Sequence, residues 1–280
     1  MSATAFIRAQ GLGRHGWART LGTLALMIVL AVLAALAARG GAFPILRTTL
    51  ADAPEPIRSG ALALVAGALF GSALIGLLIG VRFLHGRPAR SVVTTARRFR
   101  WLHLILGFLV SAGLVGALGY LLDPEGLKPL DTLPIGTLAL SALMLLAGFA
   151  IQAPTEEVLF RGYILQVGWR GFRSPWLTAG LSVVLFTLFH FGYGIESALF
   201  SLISAVGLLI VVLLLDGLEL TMGAHVGNNL IVAFLFQDLS NANAPSASGI
   251  AWDELAANAG VMTALILLAL ALRRRSTEPR

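Results

Sequence analysis

Apolar residues run through this chain in long stretches, at about 21–38, 61–81, 102–122, 134–155, 176–193, 197–215, 219–236 and 257–272. Each is near the roughly 20 residues that an α-helix needs to cross the hydrocarbon of a bilayer. The shorter ones must extend into their flanks. Between them stand segments of turn chemistry, such as Ala53-Pro54-Glu55-Pro56 and Asp123-Pro124-Glu125-Gly126, where proline removes a backbone donor and stops a helix outside the membrane. These are boundaries between spans rather than between domains. The pattern predicts an all-α polytopic transmembrane bundle of about eight spans, a single membrane domain over residues 1–280, with its informative polar residues at about 134–236. The first apolar run is too long for a cleaved secretory signal and lacks a small-residue cleavage site, so it reads as the first span. No internal repeat stands out, and the Asn/Ala/Ser-rich stretch from Ser240 to Ser248 reads as a flexible loop.

Composition agrees with lipid as the solvent. Hydrophobic residues make up 57% and charged residues 12%, with a mean hydropathy of +0.86, and no soluble core of this size hides that much apolar surface. The chain has no cysteine, which excludes disulfides, thiolate nucleophiles and cysteine-ligated zinc or iron–sulfur centres.

The net charge of +6 would point toward nucleic acid in a soluble protein. Here the arginines gather in short segments between spans, so no nucleic-acid partner is expected. Arg8, Arg14 and Arg19 precede the first span; Arg82, Arg87, Arg90, Arg97, Arg98 and Arg100 follow the second; Arg161, Arg170 and Arg173 follow the fourth; Arg273 to Arg275 close the chain. With eight crossings all of these fall on one side, and the positive-inside rule then makes both termini cytosolic. The expected location is the bacterial cytoplasmic membrane, with the cluster from Arg82 to Arg100 anchored to anionic lipid.

Ionisable groups inside hydrocarbon cost about 2.5–3.5 kcal/mol on insertion scales and persist where they are paired or used. Three places qualify. At the end of the fourth apolar run, Glu156-Glu157-Val158-Leu159-Phe160-Arg161 places Glu157 and Arg161 four residues apart on one helix face, while Glu156 is rotated by about 100° and points elsewhere. In the fifth, His190 follows Phe186 by four residues. In the seventh, His225 and Asn229 share a face and can direct two polar groups into one cavity.

Paired glutamates followed by arginine, then Phe-x-x-x-His, then His-x-x-x-Asn, in that order on three membrane helices, resemble the CAAX-protease and bacteriocin-processing family of intramembrane glutamate proteases. The match runs from Glu156 to Asn229. The resemblance implies hydrolysis of a peptide bond near the C-terminus of a protein, prenylated or not, or of a free peptide, with no cofactor and no metal. It implies that Glu156 activates a water positioned by His190, that His225 and Asn229 stabilise the oxyanion, and that Glu157 and Arg161 form the supporting pair. A carboxylate in a low-dielectric cavity suits the first role, and directed N–H groups suit the second.

Other readings use the same residues. Glu157 with Arg161 also fits an interfacial ion pair, and His225 with Asn229 fits hydrogen-bonding between helices. A zinc protease would use Glu156, His190 and His225 as ligands, without a His-Glu-x-x-His motif in the chain. A transporter or a silent scaffold would use them as a substrate path. His15, His85 and His103 are expected at solvated loops or the lipid interface. One tension concerns depth: counted from Trp176, His190 lies about 14 rises along its helix, on the order of 20 Å, whereas Glu156 reads as lying near the cytosolic end of its own.

Overall fold

A computed structural model describes residues 5–9, 13–240 and 250–277; the predicted loop from Ser240 to Ser248 lies almost wholly outside them. Among the described residues there is no β-strand, only an isolated bridge between Thr94 and Gly217. The long helices are α1 (Trp17–Ala37), α2 (Glu55–Ile79), α3 (Trp101–Leu122), α4 (Ile135–Glu157), α5 (Pro175–His190), α6 (Ile195–Leu215), α7 (Glu219–Leu235) and α8 (Trp252–Thr277). They correspond one for one to the apolar runs. Proline sits at the N-terminal edge of several, as at Pro54, Pro134 and Pro175, where its fixed φ favours helix entry.

Seven of these, with their helical extensions, are long and apolar enough to cross a membrane. The exception is α7, with 17 residues including Glu219, His225, Asn228 and Asn229. The chain is thus an all-α polytopic bundle in which this short helix is largely enclosed. Leucine, isoleucine and valine side chains such as Leu33, Leu109, Leu143 and Leu267 are more than half exposed. In a helical bundle with this composition, that is the surface offered to lipid.

Helix α7 is seated against α3 and α4, and α2 lies along α4. Small residues set the approach. A Cβ on Gly227 would stand 2.6 Å from the Phe108 carbonyl oxygen, and one on Gly67 would stand 2.8 Å from the Gly148 carbonyl oxygen. These helices therefore touch backbone to backbone, the packing by which membrane helices gain dispersion without a hydrophobic driving force. These close approaches fix α7 against α3 and α4 against α2, and α7 in turn lies against α4.

Helix α4 does not stop where its apolar run stops. It continues through a π-helical segment, Val158–Ile164, and a further α-helical segment, Leu165–Phe172. Arg173 then turns the chain in the left-handed conformation at φ 52°, and Ser174 caps α5 by accepting from the Leu177 N–H. Polar residues in this extension, among them Arg161, Gln166 and Arg170, lower its hydropathy and hide the helix from an apolar count.

Candidate active site

The continuation of α4 removes the tension over depth. Glu156 lies sixteen residues before Phe172, and His190 lies fifteen residues after Pro175. The two run antiparallel from one tight turn, so nearly equal counts bring them level. Glu156 is therefore in the middle of a long helix, not at its end as the apolar pattern suggested.

Glu156 is 2% exposed. Its Oε1 accepts from Gln152 Nε2 at 2.7 Å. Its Oε2 is shut off from solvent with no hydrogen-bond partner, and stands 3.9 Å from His190 Nε2 and 3.9 Å from His225 Nε2. A carboxylate oxygen so enclosed is costly unless something bridges it to its neighbours.

The neighbours fix what can bridge. His225 Nδ1 lies 3.0 Å from Glu157 Oε1, and since a carboxylate only accepts, the proton on that nitrogen points at Glu157. His190 Nδ1 lies 2.9 Å from the Phe186 carbonyl oxygen, so it too donates from Nδ1. In their neutral forms both rings then present a lone pair at Nε2. Glu156 Oε2 and the two imidazole Nε2 atoms, each 3.9 Å from it, then face one another as acceptors, and a water, with two protons to give, can bridge Oε2 to an imidazole.

Glu157 is fully buried and also accepts from Arg161 Nη1 at 2.8 Å. The predicted i, i+4 pair is thus present, although Arg161 stands in the π-helical segment, a feature often found at functional sites. The Arg161 guanidinium lies 3.9 Å from the centroid of the Phe186 ring, a cation–π contact. That ring packs 4.5 Å from the ring of His190 and 6.2 Å from that of His225. Phe186 is accordingly the shared wall of both imidazoles.

Asn229 donates from Nδ2 to Gln152 Oε1 at 3.3 Å and accepts at Oδ1 from Asn228 Nδ2 at 3.1 Å. The structure therefore brings together all six residues singled out from the sequence: Glu156, Glu157, Arg161, His190, His225 and Asn229. It adds one that motif reasoning missed. Gln152 stands one helical turn before Glu156 and ties it to Asn229; its signal was a lone carboxamide on the same face of an apolar span, at the i, i+4 spacing from Glu156. Among the described residues, no group of three histidine, aspartate or glutamate side chains is spaced to hold a metal ion.

Two expectations elsewhere are corrected. His85 is 2% exposed rather than solvated. Its Nε2 meets the Tyr163 hydroxyl at 3.0 Å and its Nδ1 the Arg14 carbonyl oxygen at 3.1 Å, so both ring nitrogens are satisfied inside. The arginines from Arg82 to Arg100 are not all at the surface either. Arg87 is buried, and Arg100 grips the fully buried Glu219 at the start of α7, with Nη2 to Oε2 at 2.6 Å and Nε to Oε1 at 3.0 Å.

Comparison with known proteins places this site in context. Residues 138–231 match the family described as type II CAAX prenyl endopeptidase Rce1-like. The segment spans α4 to α7 and contains every residue of the site just described. The chain is also 25% identical over 181 residues to the uncharacterized protein YyaK of Bacillus subtilis (strain 168), a match covering 59% of this chain and 58% of that protein. No solved structure gives a significant match. The family resemblance read from the three motifs is borne out.

Proposed function

We infer, with the Rce1-like family match of residues 138–231 as premise, that this chain is a membrane-embedded endopeptidase that hydrolyses peptide bonds with Glu156 as general base. The observation that carries the reading is the Oε2 of Glu156, buried, without a hydrogen-bond partner and 3.9 Å from each of two imidazole Nε2 atoms.

The steps follow from the hydrogen bonds. A water held between Glu156 Oε2 and the His190 Nε2 gives its proton to Glu156 Oε2, and its oxygen attacks the scissile carbonyl carbon. The carbonyl oxygen becomes an oxyanion. Asn229, whose carboxamide is fixed by Gln152 and Asn228, offers it an N–H. His225, tethered through Nδ1 to Glu157, lines the same position and donates to the oxyanion from Nε2 when the ring carries a second proton taken from solvent. The proton then passes to the amide nitrogen, the C–N bond breaks, and a new carboxylate and amine leave. His225 thus differs from a fixed donor, because its Nδ1 proton is already committed to Glu157.

The substrate class is the C-terminal segment of a protein, prenylated or unprenylated, or a free peptide. It reaches the site from the cytosolic side of the bacterial cytoplasmic membrane, with both termini on that side and anionic lipid at the exposed arginines between Arg82 and Arg98. The test is to incubate the purified chain and Glu156→Gln with farnesylated and unprenylated C-terminal peptides and to identify the products by mass spectrometry. Cleavage by the parent and none by Glu156→Gln is expected. Equal cleavage by both, or none by either, rejects the mechanism, and loss of cleavage on chelation would favour the zinc alternative.

A further inference from the structure

About ten residues beyond Glu156 along the extension of α4, roughly 15 Å at 1.5 Å per residue, a second cluster of ionisable groups lies outside the catalytic site. Arg87 is 1% exposed. Its Nη1 donates to Gln166 Oε1 at 2.6 Å, while Nε and Nη2 are buried with no partner. Gln166 is saturated, since its Nε2 also donates to the carbonyl oxygens of Ser91 at 2.8 Å and Phe6 at 3.1 Å. Its carbonyl is therefore locked toward the guanidinium. Among the described residues Arg87 makes no ion pair, and a buried arginine without a counter-charge is expensive.

Its charged surroundings are cationic. His15 Nδ1 is likewise buried and unpartnered, and Arg19 Nη1 donates to the His15 carbonyl oxygen at 2.7 Å. Burial first, then the charges of Arg170, Arg87 and Arg19, hold the His15 imidazole below its ordinary 6.5. Burial likewise brings the Arg87 guanidinium down to about 10. Trp17, 70% exposed at the first turn of α1, lies beside Gly171, the neighbour of Arg170, and Leu21, 61% exposed, follows one turn on. An exposed tryptophan followed by apolar side chains marks the headgroup level of a bilayer, where phosphates reside.

We propose that Arg87, with Arg19, Arg170 and the His15 ring around it, forms a binding site for a phosphate group, borne by a phospholipid headgroup or by a soluble phosphate. Guanidinium donors in a fork match phosphate oxygens, and the orphaned Nε and Nη2 form one such fork. The bound group supplies the negative charge that the described residues do not. This site does not depend on the peptidase reading.

The test uses the full chain, delipidated in a neutral detergent. Thermal unfolding and native mass spectrometry follow titration with short-chain phosphatidylglycerol, with a neutral short-chain diacylglycerol, and with inorganic phosphate. A saturable upward shift with phosphatidylglycerol and none with diacylglycerol is expected. The same shift with inorganic phosphate assigns the site to phosphate as such, and its absence there assigns it to the lipid-borne group. Arg87→Gln raises the half-saturating concentration about tenfold or more, the loss of a charge-assisted pair. If that variant does not fold, Arg170→Ala, at an exposed rim position, shows a severalfold rise with unliganded stability unchanged. No saturable response to any phosphate compound, or parent-like half-saturation in Arg170→Ala and in folded Arg87→Gln, overturns the proposal.

Discussion

Gln152 and Glu156, one turn apart on α4, are joined by a 2.7 Å hydrogen bond that occupies only one of the two carboxylate oxygens. The bond makes Glu156 asymmetric: Oε1 is anchored and Oε2 is left facing the imidazoles. It also links Glu156, the proposed general base, to Asn229, because the same carboxamide accepts from Asn229 Nδ2. Gln152→Leu frees both ends at once. Its kcat on a cleaved peptide is expected to fall on the order of tenfold to a hundredfold with KM little changed, as for a misplaced catalytic group. Gln152→Glu sets a second carboxyl beside the first, and the two then compete for one proton. Its pH–rate profile is expected to move to higher pH, whereas a purely structural role for Gln152 would lower the rate without moving the profile.

The Glu157–Arg161 pair is fully enclosed and serves both stability and His225. Breaking a buried pair from one side leaves an uncompensated charge, at a cost of about 3–5 kcal/mol. Arg161→Met and Glu157→Gln are each expected to lower the thermal unfolding midpoint sharply in detergent. The double variant should be less destabilised than the sum of the two, and strict additivity in that double-mutant cycle would show that the groups do not act as a pair. Glu156→Gln, by contrast, removes a carboxylate that among the described residues has no ion-pair partner other than the imidazoles, and its midpoint should stay near that of the parent.

Much of this arrangement was legible in the chain because it is local. Spans show as apolar runs, Glu157 and Arg161 show as a four-residue spacing, and His225 and Asn229 show as one face of a helix. What escaped depends on partners distant in sequence or on helices with mixed polarity. The extension of α4 to Phe172 carries Arg161, Gln166 and Arg170 and so looks like a loop to a hydropathy count, which misplaced Glu156 at a helix end. The Arg100–Glu219 pair joins residues 119 apart, and no local pattern announces it. His85 is polar and follows an arginine-bearing helix end, yet its burial is decided by Tyr163 and by the Arg14 backbone, neither of which is near it in the chain.

The α3–α7 seam offers a test of how rigidly the site is held. Gly227 lies two residues beyond His225, and any side chain there meets the Phe108 carbonyl oxygen. Gly227→Val is expected to push α7 away from α3, at a cost of about 1–3 kcal/mol typical of overpacking, and to displace His225 from Glu156. Cleavage should then fall more steeply than stability. A Gly227→Val protein with unchanged activity and midpoint would mean that the two helices do not approach as closely as their backbones indicate.

His85 gives the fold a directional response to pH. Burial, the largest cause, and then the charges of Arg87, His15 and Arg19 hold its imidazole below the ordinary 6.5, outweighing the opposing hydrogen bond to the Arg14 backbone. His15 is shifted the same way. A histidine whose folded form resists protonation is protonated first in the unfolded chain. The unfolded state therefore binds more protons as pH falls through 6.5, and stability is full above that value and lost below it. Thermal unfolding midpoints are expected to be flat from pH 8 to about 7 and to decline below about 6.5. His85→Gln retains hydrogen-bonding capacity toward Tyr163 without a titrating group, so its decline should be shallower than the parent's. An identical pH profile in parent and variant would remove His85 as a source of the acid sensitivity.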